Sequence, residues 1–262
     1  MKKVYIKSFH TLSALSEAPE LRKYISPIEA RRMSSIMKKI VVTSSEALSK
    51  AGLECPDAII AGTGLGCVEN TEALLMALTG ASGLPLRPTD FMQSTHNTIA
   101  SLIAIRTRCH GYNVTYSHHF LSFESALMDG WMRIALGRSR SALVIAAEET
   151  SEVLSMMLAK VGYGNEAVSD TAVSIVLSDS PEGALCELES VTLLPPSEGT
   201  KCITRDSIAA KYGENLCVTA LGACDEIEKI ASGESKGVVI FNSSPLKEGC
   251  ATIKLAALCG GN

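Results

Sequence analysis

Short apolar runs alternate with amphipathic stretches along the first 150 or so residues, and this alternation constrains the fold more than any other feature. Three runs have the character of buried strands: 57–62, 113–117 and 141–149. Four stretches repeat apolar residues with a helical period: 27–52, 69–78, 95–109 and 122–136. Strands and helices that alternate in this way favour crossover connections around a largely parallel sheet. The sequence therefore predicts the α/β class.

The pattern is looser beyond residue 149. A polar, glycine-containing stretch runs to residue 169, and 193–206 has the composition of a loop, as does the proline-marked segment 83–91. Strands expected at 171–177 and 184–194 are joined by the turn SDSPEG, so we expect them to pair antiparallel. The remaining predicted elements are a helix at 216–232 and two closing strands at 236–244 and 249–258.

Composition excludes several classes of protein. With 262 residues, 46% of them hydrophobic, and a net charge of −4, the chain is expected to form a sizeable globular core. The acidic balance and the 5% aromatic content argue against a nucleic-acid partner. No signal peptide is evident, and no window reaches the roughly 18 apolar residues of a membrane helix. Nine cysteines without a CxxC pair favour a reducing compartment, so we expect a cytoplasmic protein away from membranes.

A glycine-rich string, GTGLG, lies between a predicted strand and a predicted helix. Such a turn can cradle phosphate, but the dinucleotide fingerprint GxGxxG requires a third glycine where this chain has Cys67. The sequence also contains no cluster of cysteine and histidine with metal-ligand spacing. We therefore interpret Gly62 to Gly66 as a tight structural turn and expect neither a cofactor nor a metal.

The segment 113–130 predicts a strand that turns sharply into a helix, the scaffold on which many acyl-transfer enzymes mount a nucleophile. A helix N-terminus there lowers a thiol pKa and offers backbone N–H groups to an oxyanion. At the turn, however, stands Phe120, which cannot ionise. Ser122 with His118 or His119 could supply a nucleophile and a base, although no acidic residue to orient either histidine is identifiable. A serine that opens a helix is more simply its N-cap.

Three strings resemble the β-ketoacyl-acyl-carrier-protein synthases of the thiolase superfamily in order and spacing. They occupy 30–53, 59–78 and 94–149, and the resemblance covers roughly residues 1–180. It implies a thiolase-like layered αβαβα fold in a single domain spanning 1–262, with a complete first repeat over 1–180 and a shortened second repeat over 181–262. The chain also resembles the short ketosynthase N-terminal-like variants of aryl-polyene and flexirubin-type pathways.

Aligned on Gly111 and Ala126, the resemblance places the family's nucleophilic cysteine at Phe120. The family also carries two catalytic histidines in its second half, whereas this chain has no histidine after His119. Only 79 residues run from Ala184 to Asn262, too few for a complete second repeat. The resemblance therefore implies a protein without condensing activity of its own, and no residue is assigned a catalytic role.

Three functions remain open at this stage. The first is a partner or chain-length-factor-like subunit in fatty-acid or polyene-type biosynthesis, a homodimer or a heterodimer with a complete ketosynthase, joined through 113–117 and the helix beginning at Thr95. The second is an acyltransferase or hydrolase that uses Ser122. The third is a module that binds an acyl chain or an acyl-carrier protein, for which Arg31 and Arg32 would provide a basic patch.

Overall fold

The computed structural model describes residues 1–13, 21–81, 83, 85–160, 170–245 and 249–258, without the side chains of 158 and 159. The strands in these ranges are β1 (Tyr5–Ser13), β2 (Ala58–Gly62), β3 (Tyr112–Tyr116), β4 (Ser141–Glu148), β5 (Thr171–Ser178), β6 (Cys186–Thr192), β7 (Ile203–Thr204), β8 (Gly237–Ser243) and β9 (Cys250–Ala256). They form one sheet in the order β3-β2-β4-β5-β1-β6-β9-β8-β7.

The helices of the described ranges connect these strands. They are α1 (Pro27–Ala30), α2 (Ser35–Lys50), α3 (Val68–Leu78), α4 (Pro88–Gln93), α5 (Thr98–Thr107), α6 (Ser122–Ala135), α7 (Glu152–Lys160), α8 (Arg205–Tyr212) and α9 (Thr219–Ala231). None of them is long and apolar enough to cross a membrane. The predicted α/β class is confirmed.

Alternation along the strands divides the core into two clusters. In β2 the side chain of Ile59 joins the cluster under α2 and α5, whereas that of Ile60 joins the cluster around α6 and α9. Successive side chains of a strand point to opposite faces of a sheet, so a strand covered on both faces is apolar throughout. This explains why β2 and most of β4 are continuous apolar runs.

Helices α6 and α9 lie between two parts of the nine-stranded sheet. Leu127 of α6 and Ile227 of α9 share one core cluster with Val144 of β4 on one side and with Leu188 of β6 and Ile253 of β9 on the other. Starting from α2 and α5, the successive layers are therefore these two helices, the part of the sheet with β4, helices α6 and α9, and the part of the sheet with β6 and β9.

The expectation of a largely parallel sheet is wrong. In the described sheet only three of the eight strand pairings are parallel, namely β2 with β3, β2 with β4, and β7 with β8. The predicted antiparallel pairing of β5 with β6 is also wrong, because β1 lies between them and pairs antiparallel with both. The sequence analysis predicted no strand at residues 5–13, so the strand that separates β5 from β6 was not among the predicted elements.

Several observed element boundaries differ from the predicted ones. The predicted helix 27–52 is interrupted: α1 ends at Ala30, and α2 begins at Ser35. The two segments predicted as loops, 83–91 and 193–206, overlap the first residues of α4 and of α8. Helix α7 lies in the stretch predicted to be polar and irregular, of which 161–169 are outside the described residues.

Candidate functional site

The predicted strand–turn–helix is present. Strand β3 ends at Tyr116, a short 3-10 turn covers His119–Leu121, and α6 begins at Ser122. His119 has φ of 42°, in the left-handed region that costs a residue with a Cβ about 1 kcal/mol or more. We call residues 117–122 the elbow.

Phe120 lies in the protein interior, with 3% of its surface exposed. Its ring faces the guanidinium of Arg205, 4.7 Å from the ring centroid, and its carbonyl oxygen accepts a 2.7 Å hydrogen bond from the Asn242 side-chain amide. Residue 120 therefore packs against two side chains from the second half of the chain.

The Ser122 hydroxyl is engaged by the backbone of the elbow. Its Oγ accepts a hydrogen bond from the His118 N–H at 2.9 Å and donates one to the His119 carbonyl at 2.7 Å, and the residue is fully buried. The His118 ring lies at the surface and its Nδ1 is 3.1 Å from Ser125 Oγ. His119 is also exposed. Ser122 thus ties the backbone of the elbow together. It is not the N-cap expected from the sequence, because Leu121 occupies the N-cap position of α6 and no side chain caps that helix.

A buried carboxylate, Glu124, lies one helical turn after Phe120. Its Oε1 accepts hydrogen bonds from Thr219 Oγ1 at 2.5 Å and from Asn242 Nδ2 at 2.7 Å. Burial raises the pKa of this glutamate to about 7, and the two hydrogen bonds oppose that rise. The second oxygen, Oε2, has no hydrogen-bond partner among the described residues, and the same holds for Oδ1 of Asn242.

Arg205 belongs to the second half of the chain and lies against the Phe120 ring. The residue is 2% exposed, and its two terminal nitrogens contact the two carboxylate oxygens of Glu214. It also donates to the Asn215 carbonyl oxygen at 3.2 Å. A guanidinium bound at two points by a carboxylate is held in a fixed plane, which suits it to stack on the Phe120 ring.

The GTGLG turn is occupied by a carboxylate of the chain itself. The backbone N–H groups of Gly64 and Leu65 and the Thr63 hydroxyl all donate to Glu148, at the end of β4. Burial raises the pKa of Glu148 to about 7. Next to it, Glu149 accepts hydrogen bonds from the first turns of two helices, from Ile36 N of α2 at 3.3 Å and Glu69 N of α3 at 2.8 Å. The turn therefore has the structural role expected of it.

The basic pair Arg31 and Arg32 is exposed in the turn that follows α1. The neighbouring Glu29 forms a 3.3 Å ion pair with Arg106 of α5, which fixes α1 beside α5. The two arginines are thus placed on the surface and not in the cluster around Phe120.

A group of large apolar side chains is exposed on three neighbouring helices. The helices adjoin one another: Thr71 of α3 hydrogen-bonds the Ser94 carbonyl after α4, and Ser151 before α7 hydrogen-bonds Glu72 of α3. Helices α3 and α7 follow the carboxyl ends of β2 and β4, the same end of the sheet as the elbow. We call this group the elbow-side apolar surface, and it comprises Leu75, Met76, Leu78, Phe91, Met92, Val153, Met156 and Met157, each 40% exposed or more.

Sequence reasoning missed the partners of Phe120. Asn242 and Thr219 lie 122 and 95 residues away from the residues they contact, Phe120 and Glu124. Arg205 was assigned to a loop. A local signal was present in the spacing, because Glu124 lies three residues before Leu127 and therefore on the apolar side of the helix predicted at 122–136.

Comparison with known proteins identifies the family. A family model described as "Beta-ketoacyl synthase, N-terminal domain" matches residues 8–206, more than half of the chain. No curated protein matches the sequence significantly.

Solved ketosynthases share the fold. A β-ketoacyl synthase from Burkholderia phymatum STM815 superposes with a TM-score of 0.78 at 14% identity, covering 99% of this chain and 100% of that one. The ishigamide ketosynthase/chain length factor has a TM-score of 0.78 at 14% identity, covering 98% and 100%. The ketosynthase ApeO in complex with its chain length factor ApeC, from Xenorhabdus doucetiae, has a TM-score of 0.73 at 11% identity, covering 98% of each chain.

The thiolase-like fold predicted from the resemblance is confirmed by these superpositions. The family model adds what a fold alone cannot, because it matches the sequence itself across β1 to β7. This chain belongs to the β-ketoacyl synthase family.

Proposed function

We propose that this protein is a non-condensing, chain-length-factor-like subunit that pairs with a complete ketosynthase in fatty-acid or polyene-type biosynthesis. One observation carries the proposal: the elbow holds a buried phenylalanine, stacked on Arg205, at the position the family resemblance gives to the nucleophile.

Condensation requires groups that this cluster does not offer. The acyl group must be held on a nucleophile, and the developing negative charge needs electrophilic donors that are free to face it. Phe120 has no nucleophilic atom, and the chain has no histidine after His119. The Arg205 guanidinium, which stacks on the ring, is already bound at two points by Glu214.

Strand β3 supports the pairing. It is the last strand of the sheet and pairs with β2 alone among the described strands. Tyr112 donates its N–H to Asp57 and Tyr116 accepts from Thr63, so alternation directs the N–H and C=O groups of Asn113 and Thr115 away from β2. An edge strand of this kind can extend a sheet across a two-fold axis into a second subunit. This is the segment expected from the sequence to form the interface, together with the Thr95 helix, observed as α5.

The elbow-side apolar surface supports the same proposal. Groups of exposed large apolar side chains mark interaction sites, and methionine suits surfaces that adapt to a partner. Three solved structures of similar fold contain a ketosynthase with a chain length factor or an acyl-carrier protein. We infer a similar assembly here, with this surface against the partner ketosynthase.

Further details of the proposal follow from the family resemblance and from composition. Residues 1–180 would form the first thiolase-like repeat and 181–262 a shortened second one within a single domain. An aryl-polyene-type pathway is the expected context. The exposed pair Arg31 and Arg32 would receive an acidic acyl-carrier protein, and the cysteine usage favours the cytoplasm.

The test is co-expression with a complete ketosynthase from the same organism, followed by size-exclusion chromatography with light scattering and by a condensation assay with acyl- and malonyl-carrier-protein thioesters. We expect a one-to-one complex, no product from this protein alone, and product from the pair. Phe91→Glu should weaken the complex at least tenfold. Leu194→Glu is the matched control, because both side chains are 64% exposed and Leu194 lies in the loop after β6.

Condensation by the purified protein without a partner would refute the proposal. A hydrolase or acyltransferase would instead gain an acyl group in intact-mass spectrometry, and the gain would disappear in Ser122→Ala. A module that only binds carrier protein would lose binding when Arg31 and Arg32 are both replaced by glutamate, without forming the ketosynthase complex.

A further inference from the structure

Two cysteines lie close together shortly before β2 and β3 begin. The parallel register of these strands pairs Ala58 with Tyr112, an offset of 54 residues. Cys55 and Cys109 each precede their strand by three residues, outside the paired part of the sheet. Strands of a sheet lie roughly 4.8 Å apart, and a disulfide needs Cα atoms separated by about 4.4 to 6.8 Å, so two segments that stay together before their strands begin can bring a cysteine pair within this range.

The backbone shows that the two segments do stay together beyond the strand ends. Tyr112 N–H donates to the Asp57 carbonyl at 3.2 Å. At Gly111 the approach is so close that a Cβ would lie 2.1 Å from the Asp57 carbonyl oxygen. On the other side, Cys109 N–H is fixed by a 2.9 Å hydrogen bond to the Ala104 carbonyl, where α5 ends with Arg108 in the left-handed conformation.

The two thiols converge on one acceptor. Cys55 Sγ and Cys109 Sγ lie 3.7 and 3.0 Å from the Pro56 carbonyl oxygen, to which both donate. Burial, and then the neighbouring Cys109 thiol with which it forms a side-chain hydrogen bond, raise the pKa of Cys55. Cys55 is nevertheless exposed at the surface and Cys109 is partly exposed, so a small reagent can reach the pair.

We propose that Cys55 and Cys109 are a redox-active pair that closes to a disulfide by exchange with a small-molecule disulfide such as oxidised glutathione. The thiolate of Cys55 attacks a glutathione sulfur and releases one reduced glutathione. The thiolate of Cys109 then attacks the Cys55 sulfur of the mixed disulfide and releases the second. Both cysteines are oxidised, one oxidised glutathione is reduced to two thiols, and the two cysteine protons leave with the released glutathione thiolates.

The bond would tie the chain that enters β2 to the connection between α5 and β3. A raised thiol pKa makes the exchange slow near neutral pH and faster as the pH rises, because the thiolate is the attacking species. This inference does not depend on the proposed subunit role, since it concerns the opposite end of β2 and β3 from the elbow.

The test uses the whole 262-residue chain, reduced, desalted and incubated with oxidised glutathione at pH 8, then desalted, alkylated in denaturant and analysed by intact-mass spectrometry and non-reducing peptide mapping. We expect two of the nine thiols to escape alkylation without retained glutathione, and a cross-linked peptide pair containing Cys55 and Cys109. Cys109→Ser should instead retain one glutathione on Cys55.

Cys202→Ser is the matched control, because Cys202 is also partly exposed and its thiol donates to a nearby carbonyl, that of Thr200 at 3.4 Å. It should form the cross-link as the unmodified sequence does. The proposal is overturned if the unmodified protein retains glutathione on Cys55 without the cross-link, if mapping finds a different pair, or if all nine thiols remain available for alkylation. Peptide mapping of the unmodified protein decides the matter even if a serine variant folds poorly.

Discussion

The buried carboxylate of Glu124 should make the stability of this protein depend on pH, and Glu124→Gln should remove that dependence at this site. Glutamine has nearly the shape of glutamate, and its carbonyl oxygen can accept the hydrogen bonds that Thr219 and Asn242 donate to Oε1. The substitution therefore removes the titration while it keeps the packing.

The direction and size of the effect come from the pKa. Burial raises the folded-state pKa of Glu124 to about 7 from 4.5 in the unfolded chain. Below pH 4.5 both states hold the proton and the site contributes no difference. Between pH 4.5 and 7 the unfolded chain releases its proton while the folded protein retains it, so the free energy of unfolding falls as the pH rises. At about 1.4 kcal/mol per pH unit, the loss reaches roughly 3 kcal/mol above pH 7.

The measurement is urea denaturation followed by circular dichroism at pH 5 and at pH 8, on the unmodified protein and on Glu124→Gln. The free energy of unfolding should decrease from pH 5 to pH 8 in both, because Glu148 and Glu149 also have a pKa raised to about 7 by burial. The decrease should be smaller by roughly 2 to 3 kcal/mol in the variant. Glu198→Gln, at an exposed position on the loop after β6, serves as the control and should match the unmodified protein.

Equal decreases in the unmodified protein and in Glu124→Gln would refute this reasoning. They would mean that Glu124 is charged in the folded protein at no cost, and hence that a donor or water reaches Oε2, the oxygen without a partner among the described residues. A variant less stable than the unmodified protein at pH 8 would contradict the prediction as well, because the charge would then be stabilising.

Three further substitutions test the packing around the elbow by urea denaturation. Phe120→Ala empties a buried ring position and should lower the free energy of unfolding by about 3 to 5 kcal/mol, whereas a loss under 1 kcal/mol would mean that the ring is not packed. Gly62→Ala places a Cβ 2.3 Å from the Ser122 carbonyl oxygen and should cost about 1 to 3 kcal/mol, and an unchanged midpoint would contradict that close approach. Glu214→Gln leaves the Arg205 charge buried without its carboxylate and should lower the free energy of unfolding by about 3 kcal/mol. Adding Arg205→Met to that variant should restore part of the loss. If the double variant is no more stable than Glu214→Gln, the unpaired charge is not the cause.

Elements with a strong local signal were predicted well from the sequence. The observed α6, Ser122–Ala135, and α9, Thr219–Ala231, agree closely with the predicted helices at 122–136 and 216–232. Both have an apolar stripe that one face of a helix buries. The turn between β3 and α6 was also predicted, because the spacing of apolar residues changes from a strand period of 2 to a helix period of 3.6 within a few residues.

Strand β1 shows where local signals end. Its burial alternates for only part of its length, and its partners β5 and β6 are more than 150 residues away in the chain. Which strands pair is decided by tertiary packing, so the order β5-β1-β6 could not be obtained from periodicity. The contacts of Phe120 share this property, since Asn242 and Arg205 reach it from the second half of the fold.

The contacts of the elbow hold its backbone independently of the side chain at position 120. Asn242 holds the carbonyl of residue 120, and Ser122 holds the N–H of His118 and the carbonyl of His119, so these hydrogen bonds fix the backbone without the side chain at position 120. Any side chain that fills the space against Arg205 is then compatible with the turn, and a phenylalanine does so. Because the turn fixes where β3 ends and where α6 begins, the edge of the sheet keeps its position. Under the proposed function, pairing through that edge therefore depends on the elbow and not on a reactive side chain.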